Sequence, residues 1–171
     1  MESIDIGCGP KKIEGCFGLD IYPYPEVDLV HDLNQAPWPI DTNAYSKVYS
    51  RHVIEHVMDI VAYLKEIHRI SKPDAEVYIE TPHFSSVNSW TDPTHLRHLS
   101  AFWFEPFLQG QYLADQVGGF ELIKTEVTFG KSLRARMGSW WSSVRGLKKW
   151  EKNLAFIYPG MDIKTWLRVK K

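Results

Sequence analysis

The sequence predicts an α/β domain built on a doubly wound, mostly parallel sheet, and three observations carry that expectation. Apolar runs of three to five residues, bounded by Gly, Pro, Asp or Asn, alternate with loops in the manner of buried parallel strands. A long amphipathic stretch separates two of these runs, as a right-handed crossover helix would. Polar residues also stand at the carboxyl ends of successive runs, the edge at which a doubly wound sheet receives its ligand.

The runs are Ser3–Ile6, Phe17–Ile21, Asp28–Val30, Lys47–Tyr49 and Glu76–Ile79. The first leads into Gly7-Cys8-Gly9 and the second carries Asp20 near its end. The third leads into His31-Asp32-Leu33-Asn34, and the fourth into Ser50-Arg51-His52. Val53, Val57, Ile60, Val61, Leu64, Ile67 and Ile70 keep a 3–4 spacing that predicts a helix from about His52 to Ser71, stopped by Lys72-Pro73. A second helix is expected over Ser100–Gln116 on Phe102, Phe104, Leu108, Tyr112 and Leu113, disturbed by Pro106. Gly118-Gly119 opens a strand over Phe120–Phe129. A helical stretch from about Ser139 to Phe156 and a closing strand, Asp162–Val169, follow.

With 171 residues the chain is sized for one domain with a real core, and 44% hydrophobic and 24% charged residues are ordinary globular values. No apolar run approaches the roughly 18 residues a membrane span needs, and no leader-like segment precedes the first strand. Cys8 and Cys16 lack CxxC spacing, so a reduced, cytoplasmic protein is expected. The net charge of −1 hides an asymmetry: residues 1–130 carry −10 and residues 131–171 carry +9. The basic segment either meets an anionic partner or surface, or complements the acidic body within the fold.

Two glycines one residue apart after a strand, then a strand-end aspartate, point to a nucleotide-type ligand. Glycine lets the backbone approach closely, and a carboxylate accepts hydrogen bonds from both ribose hydroxyls. A nicotinamide dinucleotide is disfavoured, because Lys12 stands where GxGxxG has its third glycine. Asp20 also follows Gly9 by only eleven positions, where that fingerprint wants about 20. The seven residues Pro10–Cys16 are too few for a helical crossover. One sheet face beside the ligand should therefore be thinly covered, with the C-terminal helical segment or a second subunit (a homodimer) over it.

Taken as a set, Asp5-Ile-Gly-Cys-Gly9, Gly18-Leu-Asp20, Asp32-Leu33, Pro37-Trp-Pro-Ile-Asp41 and Val48-Tyr-Ser-Arg-His-Val-Ile-Glu-His56 resemble the class I S-adenosylmethionine-dependent methyltransferases. The resemblance covers residues 1 to about 83 closely and the rest loosely. It implies a seven-stranded, Rossmann-like sheet with an antiparallel strand inserted near one edge. It implies a single domain over 1–171, with a donor-binding half (1–83) and an acceptor-side half (84–171) that holds a helical insertion at about 132–161. S-adenosylmethionine would be the donor and S-adenosylhomocysteine the product. Gly7, Cys8 and Gly9 would pass under the methionine part while Asp5 orients the loop. Asp20 would take the ribose hydroxyls and Ile21 would pack on adenine. Asp32 would face the adenine amino group with Leu33 against the ring, and Ser50 and Arg51 would line the methyl end.

The acceptor implied is a small molecule or glycan with an oxygen nucleophile, a choice resting on the histidines that follow. A non-catalytic donor-binding module of a complex is the alternative, and it would need none of His83, His95 or Arg97. His52, His56, His83, His95 and His98 are concentrated around the fourth and fifth strand ends. His83 or His95 suits proton removal from an acceptor, since imidazole titrates near neutrality. Metal binding by His83, Asp92, His95 and His98 is a second reading, but no standard metal-ligand spacing is present, so no metal is expected; His52 and His56, at i and i+4, and His98 suit structural roles. Phe84, Trp90 and Arg97 are the substrate-side candidates, Arg97 for an anionic group.

Trp140, Trp141, Val144, Leu147 and Leu154 fall roughly on one side of the C-terminal helical stretch, and Arg145, Lys148, Lys149 and Lys152 on another. Such a helix either lies on an anionic surface or packs its apolar side on the sheet and leaves its lysines in water.

Overall fold

A computed structural model describes residues 2–171. Seven strands form one sheet: β1 (Ser3–Ile6), β2 (Phe17–Asp20), β3 (Leu29–Val30), β4 (Tyr45–Arg51), β5 (Ser71–Pro82), β6 (Gly119–Val127) and β7 (Asp162–Lys170). Their order is β3-β2-β1-β4-β5-β7-β6. The first five are parallel neighbours, and β7 runs antiparallel between β5 and β6. Strand order reverses between β1 and β4, which opens a crevice beyond their carboxyl ends.

One face of the sheet is the core. Ile4, Ile6, Leu19, Val48, Val77, Ile79, Ile163, Leu167 and Val169 alternate inward and are all but excluded from solvent. Helix α1 (Ile60–Ile70) lays Tyr63, Leu64, Ile67 and Ile70 on them. Burying each such side chain contributes about 1.5–3 kcal/mol. The helix starts eight residues later than its apolar spacing predicts. Asp59 takes the N-cap, its carboxylate accepting from the Val61 and Ala62 amides at 2.8 and 3.1 Å. His52, at φ +56, turns the chain out of β4, and residues 52–58 form a loop that packs Val53, Ile54 and Val57 on the core.

The helix expected over Ser100–Gln116 does not form. Turns, a 3₁₀ turn at Glu105–Phe107 and the single-turn helix α3 (Ala114–Val117) replace it, after the short helix α2 (Asn88–Thr91). Pro106 lacks the amide that a continuous helix needs. Trp103, Phe104 and Phe107 nonetheless fill the core where a helix would, and Trp103 Nε1–H donates to Thr165 Oγ1 at 3.1 Å.

The opposite face is polar. Lys47, Tyr49 and Arg51 of β4, Glu76, Tyr78 and Glu80 of β5, and Lys164, Trp166 and Arg168 of β7 lie on it, exposed or half-buried. Tyr49, Tyr78 and Trp166 make a row of ring contacts across the strands at 6.4 and 5.2 Å. The short connections β1–β2 and β2–β3 are turns, as the seven-residue link predicts. The C-terminal helices, α4 (Leu133–Arg145) and α5 (Leu147–Leu154), the first of the two covers expected for this face, do not lie on it. They join the core side, where Glu151 accepts from the Ala101 amide at 2.8 Å and Trp150 packs on His83 and Phe129 at 5.3 and 5.0 Å. Gly146, at φ +87, separates α4 from α5, so the single helix expected over Ser139–Phe156 is two with different facings. No helix among the described residues is long and apolar enough to cross a membrane.

Candidate active site

A cleft of about 430 Å³ opens beyond the carboxyl ends of β1, β2 and β4. Gly7, Gly9, Asp20, Ile21, Asp32 and Leu33 line it, together with Tyr22, Tyr24, Asn34, His52, Val53, His56, Val57 and Thr94. Its geometry begins with the glycines. Gly7 has φ +64, and a Cβ there would lie 2.3 Å from Val53 Cγ2, so a side chain is excluded by both backbone and space. Gly9, at φ +56, has nothing within 4 Å of the Cβ position, which leaves its backbone open to the cleft.

Asp20 anchors the loop to β2. Its Oδ2 accepts from the Gly9 amide at 2.8 Å and its Oδ1 from the Tyr22 amide at 2.9 Å. An ionised carboxylate has about four acceptor positions, so two remain for the hydroxyls of a ribose. Asp5 works from behind the loop, fully buried, accepting from the Ile13 amide at 2.9 Å and from Arg51 Nη2 at 2.8 Å. Lys12, where a third glycine is missing, folds onto Asp28 at 2.8 Å, and Asp28 also receives the Gly18 amide at 2.7 Å. The Lys12 hydrogen bond, with that amide, holds the Asp28 carboxyl below its ordinary range.

The far wall is tied to α1. Leu33 is held by Trp38 Nε1–H at 3.0 Å, and the Trp38 amide donates to Glu66 at 2.6 Å. Burial pushes the Glu66 carboxyl up, but hydrogen bonds from Arg69 and the Trp38 amide outweigh it and leave it below the ordinary 4.5. Asp32 Oδ1 accepts from the Asn34 amide at 2.9 Å, and Asn34 Oδ1 accepts from the Met58 amide at 2.7 Å, joining this wall to the 52–58 loop.

The sequence-predicted residues divide. Gly7, Gly9, Asp20, Ile21, Asp32 and Leu33 come together around the cleft, with Asp5 behind them. Cys8 is buried beside the loop, and burial, then the Asp5 and Asp20 charges, push its thiol up to about 11, so it carries no thiolate at neutral pH. Arg51 and Ser50 do not line the cleft. Arg51 points to the polar sheet face, bonded to Asp5 and the Lys11 carbonyl, and Ser50 is buried against the Tyr63 hydroxyl at 2.6 Å.

The histidine assignment shifts more. His83 is 0% exposed and both its nitrogens are engaged. The Ser85 amide donates to Nδ1 at 3.2 Å, so Nδ1 is an acceptor and Nε2–H donates to Glu151 Oε2 at 3.2 Å. Burial pushes the Glu151 carboxyl up, but the hydrogen bonds from His83, Ser100 and the Ala101 amide outweigh it. His83 is thus a clamp between the end of β5 and α5, not a group facing the cleft. His95 lies one ring behind His56, 4.7 Å between centroids. Phe84, Trp90 and Arg97 also stay outside the cleft lining. Phe84 packs on Phe156, Trp90 stacks on His98 at 3.5 Å, and Arg97 binds the Val57 and Met58 carbonyls. The imidazoles that do line the cleft are His52 and His56. Their i, i+4 spacing reads as one face of a helix, and only the loop that replaces that helix turns both toward the ligand edge.

His52 is backed by Glu55, which is 1% exposed. Glu55 Oε1 lies 3.5 Å from His52 Nδ1, at the limit of a hydrogen bond, and Oε2 accepts from Thr81 Oγ1–H at 2.9 Å. The Glu55 carboxylate beside it raises the His52 imidazole above its ordinary 6.5, burial opposes the rise, and the charges of Asp162 and Glu80 add to it.

The family model described as "Methyltransferase domain" matches residues 1–125 of the chain. The chain belongs to that family. Solved structures agree on the fold. An S-adenosylmethionine-dependent methyltransferase from Archaeoglobus fulgidus aligns at TM-score 0.65 and 16% identity, over 97% of this chain and 85% of that one. One from Mesorhizobium loti aligns at 0.63 and 12%, over 98% and 90%. A Haemonchus contortus phospholethanolamine N-methyltransferase, solved with phosphomonomethylethanolamine and S-adenosylhomocysteine, aligns at 0.57 and 17%, over 98% of this chain and 48% of that one. No curated protein matches the sequence. The chain is thus a methyltransferase domain with the fold of solved S-adenosylmethionine-dependent methyltransferases. The open Gly9 backbone and the two spare acceptor positions of Asp20 fit that donor.

Proposed function

We propose that this methyltransferase methylates an oxygen nucleophile of a small-molecule or glycan acceptor that enters beside His52, His56 and Thr94. The observation that carries the proposal is the placement of these side chains in the same cleft as the glycine loop and Asp20. Gly7 and Gly9 hold the methionine part of the donor against backbone amides. Asp20 holds the ribose, and Asp32, Leu33 and Ile21 border the adenine. S-adenosylmethionine supplies an electrophilic methyl carbon, which the acceptor oxygen takes with its lone pair while the S–C electron pair returns to sulfur. Aligning that oxygen is the main task of the protein and is worth up to roughly 7–11 kcal/mol. The hydroxyl proton goes to His52, half-exposed at the mouth with Glu55 behind it.

The experiment is turnover with methyl-labelled S-adenosylmethionine across phenols, sugars and hydroxy acids, with S-adenosylhomocysteine release as readout. The expected result is turnover with a hydroxyl acceptor, and a His52→Gln variant at least 10-fold slower in kcat with unchanged S-adenosylhomocysteine affinity. Tight donor binding with turnover only on amines would overturn the oxygen assignment.

A second reading concerns α4. Leu133, Met137, Trp140 and Val144 follow i, i+4, i+7 and i+11 spacing and are all exposed, opposite the buried Ala135 and Gly138. Lys131, Arg134, Arg136 and Arg145 flank this stripe. We propose that α4 rests on an anionic surface with its stripe inserted. The protein is then expected to sediment with phosphatidylglycerol vesicles, to bind phosphatidylcholine vesicles weakly, and to lose binding in Trp140→Glu. Equal binding to both vesicle types would refute it.

A further inference from the structure

One cluster at the acceptor mouth has a geometry that methyl transfer alone does not require. Glu55, His56 and His95 bring ligand atoms within 4.8 Å of one another. Glu55 Oε1 is fully buried and has no hydrogen-bond partner among the described residues. A buried carboxylate oxygen in that state calls for a cation, and the weak approach of His52 at 3.5 Å supplies it poorly.

The outer contacts of the three side chains are those of metal ligands. Thr81 Oγ1–H donates to Glu55 Oε2 at 2.9 Å and leaves Oε1 free. His95 Nδ1–H donates to the Ser89 carbonyl at 2.9 Å. Thr94 Oγ1–H is committed to Asp92 at 2.6 Å, so Thr94 Oγ1 accepts from His56 Nδ1–H at 3.0 Å. Both imidazoles are therefore held in the tautomer with its lone pair on Nε2. Histidine ligands are oriented in this way, one nitrogen tied to a carbonyl or hydroxyl and the other free for the ion.

We propose that Glu55, His56 and His95 form a site for one divalent transition-metal ion at the acceptor end of the donor cleft. Two imidazoles and one carboxylate suit the zinc, iron, cobalt and manganese class, whereas an oxygen-seeking magnesium ion would be held weakly. Closing three donors from 4.8 Å onto one ion, with bonds of about 2.1 Å, takes side-chain movement on the order of an ångström. Three protein ligands leave coordination positions for an acceptor oxygen. This role rests on the oxygen-acceptor reading above: an ion held by Glu55, His56 and His95 would supply Lewis-acid activation of the acceptor hydroxyl, with His52 beside it to take the proton.

The test needs no acceptor. The full chain, stripped with chelator, is titrated with Co²⁺ by visible absorption and with Zn²⁺ and Mg²⁺ by calorimetry. S-adenosylhomocysteine binding is measured on the same samples. The expected result is one Co²⁺ or Zn²⁺ per chain and at least 10-fold weaker binding in both Glu55→Gln and His95→Ala. Thr81→Val, which removes an outer contact, should weaken binding about 10-fold. Circular dichroism checks folding, and Glu55→Gln preserves shape if His95→Ala does not fold. No Co²⁺ binding by the parent protein, or equal affinity in parent and variants, overturns the site. Loss of S-adenosylhomocysteine binding in the parent protein would instead count against the donor cleft, so the two failures are distinguishable.

Discussion

Asp20→Ala is expected to weaken S-adenosylhomocysteine binding at least 100-fold while the fold survives. The Asp20 carboxylate has two jobs in one place. It holds the Gly9 amide at 2.8 Å and the Tyr22 amide at 2.9 Å, and it presents its remaining acceptor positions to the ribose. Hydrogen bonds to a charged group contribute about 1.5–3 kcal/mol each, so losing two ribose contacts alone costs about 3 kcal/mol or more. Losing the Gly9 contact also frees the loop that must cradle the methionine part. Asp20→Asn keeps one acceptor and the shape, and is expected to fall between, about 10-fold weaker. Calorimetric titration checks both, and parent-like affinity in Asp20→Ala would remove Asp20 from the donor site.

Trp150→Ala is expected to destabilise the protein by about 3–5 kcal/mol, the usual cost of emptying a large aromatic site. Trp150 is 0% exposed on α5, packs on His83 and Phe129, and donates Nε1–H to the Tyr158 carbonyl at 3.1 Å. It is the main apolar tie between the C-terminal helices and the rest of the domain, and His83–Glu151 is the polar tie beside it. Trp150→Phe keeps most of the packing and is expected to lose only about 1–2 kcal/mol. Denaturant unfolding reads both, and a Trp150→Ala loss below about 1 kcal/mol would mean that α5 is held elsewhere.

These two sites differ in how far the sequence discloses them. The Asp20 site is local: strand, glycine turn, strand, with every contact inside about 25 residues, so spacing and residue type suffice. The Arg51–Asp5 pair joins positions 46 apart, and His83–Glu151 joins positions 68 apart. Nothing in local periodicity tells Arg51 to turn away from the donor, or His83 to become a clamp. The helix expected from His52 fails for a local reason that the apolar spacing conceals. Asp59 caps the helix better than any residue before it, and the seven residues ahead of it are released to form the cleft wall. That release is what sends His52 and His56 to the ligand edge and gathers Glu55 and His95 behind them. Likewise Trp150, with Leu147 and Leu154 at i−3 and i+4, is buried on a different side from Trp140 and Trp141, because Gly146 breaks the stretch and resets which side is buried.

By itself the sequence determined the strand succession, the glycine loop with Asp20, and the shortened first crossover, since each depends on the conformational preferences and spacing of neighbouring residues. Only the tertiary structure decided which histidines face the cleft, which carboxylates are buried, and which sheet face the C-terminal helices cover. Those outcomes depend on contacts between residues far apart in the chain, where loop closure and burial, not local propensity, select the partner.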